Sequence, residues 1–518
     1  MANTSVFQSI RGVFAPHPTA LNSEFAPAYE FSAEHKLAQY IVTGTINDTF
    51  YANAETQLDQ ILSLCGQVSP AYVAKAAIYA RKHAYMKDAP ALLVAALTVL
   101  DSELFKTTFH QVIDNGKMLR NFVQIMRSGV VARKSLGSSP KMRILEWLES
   151  KSDKELFHMS VGNNPSIADI IKMVHPKPST ASRAALYGYL LGRAYDAQAL
   201  PEIVKEYEAF KHGATRQVPD VPFQMLTSLE LDNKAWTTIA QNASWQMARM
   251  NLNTFARHGV FNQRAVARGI AKLLKDPTAI KRARVFPYQL LAAYYSTGAD
   301  VPHCINDALQ DALEIALENV PRVDGKVVVC PDVSGSMSSP VTGYRRGSTT
   351  SVRCVDVAAL VAAAMLRTSR EAVVLPFEHS VVDVRLNQRD SVMTNAAKLA
   401  AIGGGGTNCS APLAWLNKKK VKANLVVYVS DNESWVDAGN SRRSTGMMSE
   451  WNAFKQRNPR AKLVCIDIQP YGTTQASDRK DILNIGGFSD QVFKVISDFA
   501  RDRMDASHWT TEIERIVL

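Results

Sequence analysis

The sequence predicts a chain of two unlike parts: an amino-terminal α-helical repeat region and a carboxy-terminal α/β domain on a mostly parallel, doubly wound sheet. Three observations carry this reading. Up to about residue 320, apolar residues recur at helical spacing and runs of β-branched residues are scarce. From Lys326 onward, short Val- and Ile-rich runs alternate with helical stretches. The chain has 518 residues, of which 46% are hydrophobic and 21% charged. That balance excludes wholesale disorder and leaves material for two large cores.

In the first part, AYVAKAAIYARKHA, ALLVAALTVL, KMRILEWLES and NDALQDALEIALENV each place apolar residues on one helical face. Pro70, Pro90, Gly116, Gly129, Pro140 and Pro165 punctuate them. Antiparallel helix pairs of the α-solenoid kind give this texture, although no fixed period repeats. The helix over 305–319 is placed last in this region. Leu309, Ala312, Leu313, Ala316 and Leu317 lie on one face, with Asp307, Asp311, Glu314 and Glu318 on the other. The boundary is expected near Pro321–Gly325.

In the second part, KVVVCPD, EAVVLPF, NLVVYVSD, KLVCIDIQ and QVFKVI are expected strands. VDVAALVAAAMLRTS, SAPLAWLNKKK and MSEWNAFKQRN are expected helices between them. In an open α/β sheet the carboxyl ends of the strands form the ligand crevice. The first strand ends in Asp332-Val-Ser334-Gly-Ser336, one carboxylate and two hydroxyls at alternate positions. A glycine turn, Gly403–Gly406, presents Thr407, and Asp431 follows the strand NLVVYV. Such oxygen donors suit a hard divalent cation, Mg²⁺ above all. The set Asp332, Ser334, Ser336, Thr407 and Asp431 resembles the metal-ion-dependent adhesion site of von Willebrand factor A domains. The resemblance implies metal ligation by the serines and the threonine, aspartates acting largely through water, and an open position for an acidic group of a partner. The bland alternative is that the serines cap the next segment and Asp431 is a turn residue.

Several chemistries are disfavoured. The six cysteines, Cys65, Cys304, Cys330, Cys354, Cys409 and Cys465, form no Cys-x-x-Cys pair, which argues against a structural zinc and for a reducing cytosol. The amino terminus does not read as a signal peptide, and the longest apolar runs are about half of a membrane span. A cytoplasmic protein without a membrane partner is expected. A phosphoaspartyl nucleophile at Asp332 would want a carboxylate where Ser334 stands. A nucleophile elbow, a Walker A loop and a dinucleotide fingerprint are absent. His379 alone is a weak base candidate. No enzyme activity is expected.

The net charge is +11, an excess that permits a polyanion partner. Residues 249–284 carry nine Lys or Arg against one acid, Asp276. On a helical wheel Arg264, Arg268, Lys272 and Lys275 span about 80° of one face, opposite Val266, Ile270, Leu273 and Leu274. Arg127, Arg133, Lys134, Lys141 and Arg143 form a second basic stretch, around a small-residue loop entering a helix. His175, Lys177 and Arg183 surround a Pro-rich turn. These residues are candidate phosphate and base contacts, set against the reading of a solvated basic face.

A helical repeat region with Gly44-Thr-Ile-Asn-Asp-Thr-Phe-Tyr51, His175-Pro-Lys-Pro178 and Ala-Arg-Val-Phe-Pro-Tyr at 283–288, fused to an A domain, resembles the Ro autoantigen (TROVE) family. Gly404–Ser410, Ser430–Ser434 and Asp478–Phe488 are close to that family's A-domain versions, and the likeness runs from about residue 24 to 503. It implies a HEAT-like helical-repeat ring, monomeric and closed by the A domain, in a bacterial or phage-like member. The domains would be a tail at 1–23, the helical ring at 24–321, the A domain at 322–505 and a tail at 506–518. The resemblance also implies binding of small structured Y-type non-coding RNA on a basic surface and of misfolded RNA 3′ ends in the ring. RNA quality control, a stress role and a 3′ exoribonuclease partner follow from it, and His175 matches a family residue in RNA contact. The long connection after Ser336, with Arg345, Arg346 and Arg353, departs from the family pattern. The competing reading is a Mg²⁺-dependent scaffold that grips acidic partner side chains through the A domain; a Mg²⁺-dependent hydrolase ranks last.

Overall fold

A computed structural model describes residues 18–23, 25–42, 54–283, 285, 287–344, 352–434, 445–469, 471–477, 479–488, 492–501 and 508–518. The segment 44–51 and Arg284, Arg345 and Arg346 lie outside these. The chain packs as two compact units: a sheet unit of Met1–Ile61, Ala271–Gly298 and His303–Glu512, and a helical unit of Leu62–Ile270, Ala299–Pro302 and Ile513–Leu518.

This division does not follow the sequence boundary at 321/322. The helix His303–Ala316 is grouped with the sheet, packing on the helices Pro287–Ser296, Pro277–Arg282 and Val392–Ala400. Glu314 accepts the backbone N–H of Val392 at 2.7 Å and lies 3.5 Å from Arg367. Nor is the amino-terminal stretch wholly a tail. β1 (Ala20–Leu21) and β2 (Pro27–Glu30) form an antiparallel hairpin that pairs with β7 (Thr473–Thr474). The last segment likewise holds a helix, His508–Glu514.

The main sheet is formed by β3 (Val327–Pro331), β4 (Ala372–Val374), β5 (Leu425–Ser430), β6 (Lys462–Asp467) and β8 (Ile482–Gly486), in the order β4-β3-β5-β6-β8. All pairs are parallel. β3, β5 and β8 are buried along their whole length, as expected where helices cover both faces. The first strand of the sheet is flanked by the second and the third, so the topological switch lies between β3 and β5.

One predicted strand is wrong. Val492 to Ile496 of QVFKVI form the start of the helix Val492–Ala500. Val492, Phe493, Val495, Ile496 and Phe499 are all buried, and their spacing fits a helical stripe better than strict alternation. The edge strand is β8 instead, whose apolar run is interrupted by Asn484 and Gly486. Gly486 allows close packing: a Cβ there would lie 2.7 Å from Gln39 Cβ.

The helical unit is built from consecutive short helices, several of which begin at polar caps. Ser69, Asp101, Asn115 and Thr180 each accept a first-turn N–H, while Ser152 and Ser166 form reciprocal capping boxes. Phe105, Phe109 and Phe122 pack ring against ring in its core, and Trp147 Nε1 donates to the Ile113 carbonyl at 2.6 Å. Among the described residues no helix is long and apolar enough to cross a membrane. Phe122→Ala should cost about 3–5 kcal/mol, read as a lower denaturant midpoint; a loss below about 1 kcal/mol would contradict this core.

Candidate metal centre and nucleic-acid interface

The five oxygen-bearing residues picked from sequence stand at the switch point. The chain leaving β3 is tied to β5 by Asp332 N–H donating to the Val429 carbonyl at 2.9 Å. It is tied to the glycine turn by Gly335 N–H donating to the Gly405 carbonyl at 3.0 Å. Gly405 must be glycine: its φ is +61°, and a Cβ would lie 2.1 Å from Glu378 Oε2. The turn carries Thr407 inward, and its Oγ1 donates to Ser334 Oγ at 2.9 Å. Ser334 Oγ and Ser336 Oγ are 3.3 Å apart. Three hydroxyl oxygens from two loops therefore converge, all buried.

The carboxylates stand beside them. Asp332 accepts from Ser334 N–H at 2.8 Å and from the Ser430 hydroxyl at 2.6 Å. Burial, and next the nearby Asp431, push its carboxyl up to about 7, against the pull of the Ser334 and Ser430 hydrogen bonds. Asp467, at the end of β6, is pushed well up by burial, then by Glu433 and Asp431. Sequence reasoning missed Ser430 as the holder of Asp332 and Asp467 as a further strand-end carboxylate; both occupy the last position of a strand, which was the available signal.

The donor chemistry fits a small hard cation. Among the described residues no group of three or more His, Cys, Asp or Glu is disposed to hold a metal. An ion here would therefore rest on hydroxyls and water, with carboxylates compensating its charge, the pattern Mg²⁺ tolerates well. His379 is elsewhere in role: it is exposed, its Nδ1 is 3.0 Å from Glu378 Oε1, and its carbonyl accepts from Asn408. The six cysteines are unbridged.

The basic candidates divide. The helix Ile167–Val174 packs on the helices Gly116–Ser128 and Ser138–Glu149. The 127–143 stretch and the 172–177 turn thus lie on neighbouring elements. Arg127, Lys134, Lys141, Lys172, His175 and Lys177 are all exposed. His175 closes its helix in the left-handed region, φ 52°, with its N–H donating to the Ile171 carbonyl at 2.9 Å. Lys141 lies in the first turn of the helix Ser138–Glu149, which has no side-chain cap and no acid there. Arg143 is partly neutralised, with Nη2 2.6 Å from Glu146 Oε1.

Arg183 must be withdrawn from the RNA set. It is buried, its Nε is paired with Asp153, and its Nη1 and Nη2 donate to the carbonyls of Leu148 at 3.1 Å and Lys151 at 2.5 Å. Its fork closes the end of the helix Ser138–Glu149, so none is left for a ligand.

The helix Arg264–Leu274 shows the expected stripe. Arg264, Arg268 and Lys272 are exposed while Val266, Ile270 and Leu274 are buried. Those three cations have no acidic partner among the described residues, whereas Lys275 pairs with Asp311 at 3.0 Å. A further cluster was not visible in sequence. Burial, then Lys117 and Arg81, hold the Lys87 ammonium below its usual range, although these residues are scattered along the chain.

Residues 326–500 match the family model of the Ro60 vWA domain. The chain is 24% identical to the RNA-binding protein RO60 of Deinococcus radiodurans, covering 91% of this chain and 93% of that protein. Against the RNA-binding protein RO60 of Caenorhabditis elegans it is 24% identical, over 57% of this chain and 45% of that one. The crystal structure of the Deinococcus radiodurans Ro (RSR) protein shares its fold with a TM-score of 0.63 at 21% identity, over 91% of this chain and all of that one. Residues 326–500 are therefore similar to the Ro60 vWA domain, and the chain over most of its length is similar to the RNA-binding protein RO60 of Deinococcus radiodurans and shares the fold of the Ro (RSR) protein.

Proposed function

We propose that this protein binds RNA without transforming it, through exposed cations of its helical unit. The observation that carries this is the set Lys134, Lys141, His175 and Lys177 on adjoining elements, none with an acidic partner among the described residues. Such a set gains little from the folded protein itself and much from a phosphate backbone, whose counterions are released on binding. Arg264, Arg268 and Lys272 extend the basic character. The names of the relatives support the reading. In its finer form, small structured Y-type RNA sits on the basic surface, single-stranded 3′ ends of misfolded RNA are also held, and a 3′ exoribonuclease is a partner. The role would be RNA quality control and stress response in the cytoplasm.

In the sheet unit, Ser334, Ser336 and Thr407 would hold Mg²⁺, with Asp332 and Asp431 compensating its charge. The ion would offer a Lewis-acidic position to an acidic group of a partner. This centre by itself favours a second reading, a Mg²⁺-dependent scaffold for acidic protein side chains.

Binding of structured RNA with a single-stranded 3′ tail, compared with blunt RNA, should fall steeply with salt. Lys134→Glu, Lys141→Glu and Arg268→Glu should each weaken affinity and reduce the slope of log K against log salt by about 1 or more. Unchanged affinity in all three would refute the surface. Arg183→Ala should behave differently: a stability loss of about 2 kcal/mol by thermal unfolding, with the affinity of folded protein retained. Excess Mg²⁺ at about 100 times its dissociation constant should raise stability by roughly 2.7 kcal/mol, and Thr407→Ala should abolish that gain. If instead an acidic peptide is captured only with Mg²⁺ while RNA is ignored, the scaffold reading stands.

A further inference from the structure

The sheet unit carries a polar cavity at the opposite end of the strands from Asp332. It lies where the chain enters β3 and β4, and its volume is about 490 Å³. Arg322, Asp324, Arg367, Ser369, Arg370 and Glu371 line it.

Its wall is fixed by internal bonds. Arg501 Nη2 donates to the Arg322 carbonyl at 3.0 Å and lies 3.7 Å from Asp324 Oδ2. Arg367 lies 3.5 Å from Glu314 and donates from Nη1 to the Gln388 carbonyl at 3.1 Å. Gln388 Nε2 in turn donates to the Ser369 carbonyl at 3.0 Å. Asp324 and Glu314 thus have cationic partners, while Arg322 and Arg370 have none among the described residues. Both are exposed. A third observation is independent of charge. Ser369 is 2% exposed, and its hydroxyl has no hydrogen-bond partner among the described residues. Leaving a buried hydroxyl unpaired is unfavourable.

Two free guanidinium forks beside a fixed wall match a tetrahedral oxyanion, which presents acceptors in several directions. The charge count narrows the choice. Discounting the two ion pairs, Arg322 and Arg370 face Glu371 alone, a net of one positive charge. That suits a singly charged phosphate diester better than a doubly charged free phosphate. The volume leaves room for the sugars on either side. We propose that this cavity binds a phosphodiester group. None of the residues lining the cavity is among the helical unit's candidate cations, so either site can fail without the other.

The test uses the full chain and the dinucleoside monophosphate UpU as probe, followed by saturation-transfer NMR, with uridine as control. UpU should give a signal that uridine does not. Arg322→Gln together with Arg370→Gln should weaken UpU binding about fivefold or more, with an unchanged thermal midpoint. Arg322→Lys with Arg370→Lys, keeping charge but losing the forks, should fall between. Glu371→Gln should improve binding of inorganic phosphate relative to UpU. An equal signal from uridine, or UpU binding indifferent to both double variants, overturns the proposal. A short single-stranded RNA separates the sources: weaker binding in the glutamine variant assigns the diester to an RNA chain. Loss of UpU alone assigns it to a small diester.

Discussion

Asp332 leaves β3, an inner strand of a parallel sheet, with no contact with bulk water, and its oxygens are held by the Ser334 N–H and the Ser430 hydroxyl. Both β3 and β5 must keep their register for those two bonds to form, because Ser430 is the last residue of β5. The same segment sets Ser334 against Thr407. A buried carboxylate beside another is unfavourable alone, and hydroxyl donors offset this only in part. The arrangement is one that the proposed divalent cation would complete. The hydrophobic sheet beneath holds these charges together without neutralising them.

The helical unit treats charge in the opposite way. Where an arginine is needed for folding, it is buried and fully bonded, as Arg183 is between Asp153 and two carbonyls. Where cations are surplus to folding, they remain exposed on adjoining elements, as Lys134, Lys141, His175 and Lys177 do. The distinction separates cations spent in folding from those left exposed, which their density in the sequence does not. By the same criterion Arg143 and Lys275, each paired with an acid, are weaker candidates than Lys172, which the sequence reading passed over.

Much of the sheet unit could be read in advance. β3 and β5 are continuous Val-rich runs, and a strand buried on both faces needs little else. Asp332, Ser334 and Ser336 follow the first run at alternate positions, and Thr407 follows a run of glycines. β8 was not legible, because Asn484 and Gly486 dilute its apolar character. Nor was the start of the helix Val492–Ala500, where two adjacent apolar pairs read equally as strand or helix over so few residues. The hairpin of β1 and β2 was missed because its partner, β7, is a two-residue strand far along the chain.

Local sequence therefore determined the class of each long element, the polar caps that start the helices, and the identity of the oxygen donors at strand ends. These depend on residues a few positions apart, whose periodicity and hydrogen-bonding capacity are intrinsic. Only the tertiary structure decided which cations are spent internally, which carboxylates share one crevice, and that Arg322 and Arg370 face one cavity. Those outcomes depend on distances between residues remote in the chain, and electrostatic free energy is set by such distances and by burial rather than by composition.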